Sequence, residues 1–67
     1  MYVVIEFMID AEGNPGTLAY AFNNLDDAKA KFYSIMAVAV KSATHIHSAA
    51  ILTDEMFLVK SDFARHE

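Results

Sequence analysis

Sixty-seven residues, no cysteine and a net charge of −4 leave room for one domain, exclude disulfides and cysteine-ligated zinc, and disfavour duplex DNA, which needs a basic surface. A hydrophobic share of 55% is too high for a disordered chain, so a core is encoded. The longest apolar run, residues 35–40, is far short of the roughly 20 residues of a membrane span, and no basic leader opens the chain; a cytoplasmic protein is expected.

Residues 2–9 are rich in β-branched and aromatic side chains and predict a first strand, ended by the breaker segment 10–16. Residues 17–22 alternate Leu18, Tyr20 and Phe22 with Thr17, Ala19 and Ala21, the period of a second strand closing an antiparallel hairpin through the loop 12–16. Asn24 is placed to cap a helix beginning near Leu25, with Asp26 and Asp27 in its first turn. From there Leu25, Ala28, Phe32, Ile35, Met36, Ala39 and Ala43 make one apolar stripe, Asp27 and Lys31 form an i,i+4 pair, and Lys41 lies near the C-terminal end. Two further strands, 46–52 and 57–60, are predicted around the turn 53–55, leaving 61–67 to fray unless Phe63 pins it to the sheet. The expectation is a single α+β domain over 1–67, ββαββ, with one helix on one face of a four-stranded antiparallel sheet.

Strand one is apolar on both sides: Val3, Ile5, Phe7 and Ile9 alternate with Tyr2, Val4 and Met8, beside Glu6. One helix covers one face, so Tyr2, Val4 and Met8 are expected to remain as an exposed patch, while Ala30, Tyr33 and Ala37 widen the helix stripe sideways. A homo-oligomer, a dimer or a dimer of dimers, is therefore expected.

His45 and His47, two apart on a predicted strand, are expected on one face, with His66 as a third imidazole. No further ligands stand at metal spacing, so neither a metal nor a cofactor is expected. At a pocket or interface, His45 and His47 with Lys41 and Ser42 could donate hydrogen bonds to an anion. Glu6, Asp10, Asp54 and Glu55 read as solvated charges of turns and strands. The chain has no nucleophile elbow, phosphate loop or dinucleotide-binding glycine motif, which points away from an enzyme.

The segments AKAKFYSIMAVAVKS (28–42) and HSAAILTDE (47–55) resemble a group of small phage and prophage proteins. That resemblance implies an antagonist of host defence, acting by sequestering a nucleotide signal inside an oligomer or by occluding a host protein, with a structural phage component as the remaining alternative. Sequestration implies a ligand set of Tyr33, Lys41, Ser42, His45 and His47 at a subunit boundary. Occlusion implies an acidic surface drawn from Asp10, Glu12, Asp26, Asp27, Asp54, Asp62 and Glu67 facing a basic target.

Overall fold

A computed structural model describes residues 1–66; Glu67, one of the expected surface acids and the end of the segment expected to fray, lies outside the described residues. The elements run β1 (Tyr2–Ile9), β2 (Pro15–Phe22), α1 (Leu25–Ala39), β3 (Ile46–Thr53) and β4 (Leu58–Arg65). They form one antiparallel sheet in the order β2-β1-β3-β4 with α1 packed on one side. The expected ββαββ architecture is present.

The first hairpin turns at 10–14. Asp10 Oδ1 accepts the backbone N–H groups of Glu12 and Asn14, both at 2.9 Å, and Gly13 takes a positive φ of 87°. β2 thus starts at Pro15, earlier than the sequence suggests, because a first strand residue on a sheet edge need not donate to the ladder. These bonds to the ionised carboxylate hold the Asp10 pKa below its ordinary value, the Asn14 amide first among the causes. A depressed folded pKa contributes stability above the ordinary carboxylate range and loses it as pH falls through the folded value. Asp10→Ala is therefore expected to lower the urea midpoint at neutral pH, with the gap to wild type closing below about pH 4. A gap that stays constant into acid would show that the carboxylate charge contributes nothing.

Asn24 caps α1 as expected: its Oδ1 accepts the Asp27 N–H at 2.9 Å, and its Nδ2 donates to Asp27 Oδ2. Asp27 is thereby committed to the cap, and Lys31 lies instead over the Tyr20 ring, 4.1 Å from its centroid, which fixes that flank of the helix over β2. The other flank faces β4, where Lys60 Nζ stands 5.8 Å from the Tyr33 ring centroid. Ala28, Phe32, Ile35, Met36 and Ala39 are buried, and the helix ends before Ala43 and Lys41. Val40 is its C-cap, and no basic side chain occupies its last turn.

Register decides which sheet face meets the helix. Val4 pairs with Tyr20 and with Ile51, and Glu6 with Leu18 and Ala49. Directly opposed residues share a face, so the larger side chains of β2 lie with the even-numbered positions of β1. Val4 and Ile51 are fully buried there under Phe32, and the alanines 28, 39, 49 and 64 let helix and sheet approach closely.

Tyr2, Val4 and Met8, expected to form the exposed patch, therefore lie on the covered face; the uncovered face carries Val3, Ile5, Phe7 and Ile9. β1 considered alone cannot reveal this, since both its sides are apolar. β2 and β3 are parallel, each antiparallel to β1 between them, and helical crossovers between parallel strands take one hand, so connection geometry picks the covered face.

β4 is longer than expected and continues through Arg65, so residues 61–65 of the segment expected to fray belong to an edge strand that makes seven residue pairings to β3 in all, with a bulge near Leu52. In 60–65 (Lys, Ser, Asp, Phe, Ala, Arg) Ala64 is the one packed position, and the charged and polar side chains beside it suit an exposed edge. Phe63 does not pin the segment to the core. It stands 63% exposed on the uncovered face. Among the described residues no helix is long and apolar enough to cross a membrane.

Candidate functional site

The five residues of the expected ligand set fall into three separate places. Tyr33 lies mid-helix on the β4 flank, 53% exposed, edge-on to Phe32 with ring centroids 5.4 Å apart. Lys41 and Ser42 follow the helix C-terminus, eight or more residues on and so about 12 Å further along the axis. Ser42 Oγ donates to Thr44 Oγ1 and accepts the Thr44 N–H at 2.9 Å, which commits the hydroxyl to its own loop. His45 precedes β3, and its carbonyl accepts the His66 N–H at 2.8 Å. His66 Nε2 in turn donates to the Ala39 carbonyl at 2.9 Å, satisfying one of the free carbonyls at the helix end.

His47 sits elsewhere. It points to the helix side of β3 and is buried, while His45 lies outside the strand, so the pair expected on one face is split by where β3 begins. Lys41, Ser42 and His45 thus lie at a helix C-terminus, the negative end of the helix dipole. In one protomer that place favours a cation over a phosphate.

The sequence reading missed the partner of His47. Its Nε2 donates to Glu6 Oε2 at 2.6 Å, with side-chain exposures of 5% and 12%, and Tyr20 donates its phenolic O–H to Glu6 Oε1 at 3.3 Å. A carboxylate only accepts, so Nε2 carries the proton, while Nδ1 is buried without a partner. The signal was present: Glu6 is the one charged residue inside β1 and shares the parity of buried Val4. An imidazole beside a carboxylate is chemistry that catalysis uses, yet here both are enclosed beneath the helix layer, out of reach of a substrate. Among the described residues no three His, Asp or Glu side chains form a metal-binding group.

The surface that stands out is the uncovered sheet face. β1 contributes Val3, Ile5, Phe7 and Ile9, β2 contributes Thr17, Ala19 and Ala21, and the centre of β3 contributes Ser48 and Ala50. Arg65, at the end of β4, is the only charged side chain that the β1–β3 and β3–β4 registers place on it. Between the large residues of β1 and Phe63 of β4, the small side chains of β3 leave an open depression of about 410 Å³ over Ser48, Ala50 and Ser61, with Asp62 at its border. It contains no cation to bind a phosphate.

The acids lie off this face: Asp10 and Glu12 in the first turn, Asp26 and Asp27 at the helix start, Asp54 and Glu55 in the β3–β4 turn, and Asp62 on the helix side of β4. In the β3–β4 turn Met56 adopts a left-handed φ of 68°, which presents exposed Met56 and Phe57 at one end of the sheet. The chain matches no protein-family model, and no curated protein or solved structure is similar to it.

Proposed function

We propose that this protein is a non-enzymatic binding protein whose working unit is a homo-oligomer, and that its recognition chemistry is protein to protein. One observation carries the reading: a face spanning four strands is almost free of charge and faces solvent in the protomer. Contiguous apolar patches of that extent mark interaction surfaces. A 67-residue domain also gains most from such a contact, because its own core is small: the largest fully buried side chains among the described residues are Phe32, Ile51 and Val4.

The resemblance to small phage proteins supplies a context for this chemistry, an antagonist of host defence that occludes a host protein. Its acidic rim would steer a basic target. Sequestration of a nucleotide has weaker support, since the cations of the expected ligand set sit at a helix C-terminus and the depression on the open face is lined by Asp62 and by no cation.

Native mass spectrometry of the purified protein tests the proposal. Integral multiples of the 7.4 kDa chain without added mass are expected. A species carrying a nucleotide-sized adduct would replace protein binding with sequestration, and a protomer that stays single at micromolar concentration would end the oligomer reading.

A further inference from the structure

Across the sheet the uncovered face is corrugated. Along the central row of Phe7, β2 is low, with Thr17; β1 is high, with Phe7; β3 is low, with Ser48; and β4 rises again at Phe63, while the next row runs Ala19, Ile5, Ala50 and Ser61. This low-high-low-high order becomes its own complement when reversed. Turn a second copy about a twofold axis that runs along the strands between β1 and β3, and β1 of each copy lies over β3 of the other, while β4 lies over β2. Ile5 and Phe7 then enter the groove over Ala50 and Ser48, and Phe63 rests on the β2 shelf at Thr17, with Ser61 over Ala19.

We infer that the uncovered sheet face is an isologous dimer interface, with two copies packed sheet to sheet as an aligned sandwich in which each β1 ridge fills the other copy's β3 groove. This rests on the homo-oligomer reading above and specifies the surface that it uses. Area supports the occupant. Four strands of eight residues, at about 3.3 Å per residue and 4.8 Å between strands, cover roughly 500 Å² of projected face per copy. Two copies bury about 1,000 Å² before side-chain relief is added, the size at which specific interfaces begin.

Charge supports the same occupant. A chain of net charge −4 meets its like most readily through a surface poor in carboxylates; Glu6 is on the helix side, and of the described acids only Asp62, at the β4 border, lines the depression on this face. The β4 edge offers a poorer route. Its Phe63 N–H is already taken by Asp62 Oδ1 at 2.8 Å, Lys60 is exposed on it, and a bulge lies near its start, which are the usual guards against edge pairing.

Sedimentation equilibrium on the full chain tests the interface. Wild type is expected at twice 7.4 kDa at micromolar concentration. Ala50→Glu places an unpaired charge in the groove, and Ala19→Glu does so on the exposed shelf of an edge strand, where the protomer fold tolerates it. Each is expected to weaken the dimer at least about 100-fold with an unchanged far-UV circular dichroism spectrum, while Val38→Glu on the outer helix surface leaves it intact. Should Ala50→Glu fail to fold, Ala19→Glu carries the test by itself.

A wild-type oligomer that resists both sheet variants but dissociates with Val38→Glu would overturn this interface and leave the oligomer reading standing. A wild-type monomer would overturn both. A monomer that binds an apolar dye, and loses it on Ala50→Glu, would assign the face to a different protein.

Discussion

Phe32→Ala is expected to leave the protein largely unfolded at room temperature. Phe32 is 1% exposed and sits in the buried cluster with Val4, Ile51 and Met36. Truncation of a buried Phe costs about 3–5 kcal/mol, part from lost transfer energy and part from the cavity. At ~0.05–0.15 kcal/mol per residue, a chain of this length has roughly 3–10 kcal/mol in all. One side chain thus accounts for between a third and the whole of the margin. Urea unfolding followed by circular dichroism, at one fixed protein concentration because self-association adds to apparent stability, measures it. A loss below about 2 kcal/mol would mean that the site collapses around the smaller residue and that the helix is not anchored where its burial indicates.

Glu6 and His47 form the second large effect, and its sign depends on how many partners are removed. Glu6→Leu leaves the His47 Nε2–H without an acceptor in a buried position where Nδ1 already lacks a partner. That change is expected to cost about 3 kcal/mol. The double variant Glu6→Leu/His47→Leu removes the desolvated polar pair altogether and is expected within about 1 kcal/mol of wild type. The coupling from the cycle should therefore be about 2 kcal/mol or more. Additive losses would show that water reaches the pair and that the two groups act independently. The pair also pins the register of β1 against β3, because a one-residue slip would send Glu6 to the open face and His47 away from it.

The alternation of Leu18, Tyr20 and Phe22, the Asn24 cap with its two aspartates and the helix stripe were legible because each depends on neighbours within a few residues. Those local periods fixed the element order and the packed face of α1. The end of β4 was not legible. Its residues 61–65 belong to a stretch polar enough for a loose tail, and they become a strand because β3 offers them a hydrogen-bonding edge. His45 and His47 show the same limit: spacing of two implies a shared face only if both belong to the strand, and β3 begins at Ile46.

By itself, then, the sequence determined that this chain folds as one α+β unit with more apolar surface than a single helix can cover, since total apolar content and local periodicity are properties of the chain alone. Only the tertiary structure decided which apolar surface remains uncovered. β1 is apolar on both sides, and the choice between Val4 and Ile5 was made by the β1–β2 register and by the path of the helical connection from β2 to β3. The same packing brought Glu6, which reads as a solvated charge, against buried His47 on the helix side, and left half-buried Ile5 and Phe7 and exposed Phe63 on the uncovered face.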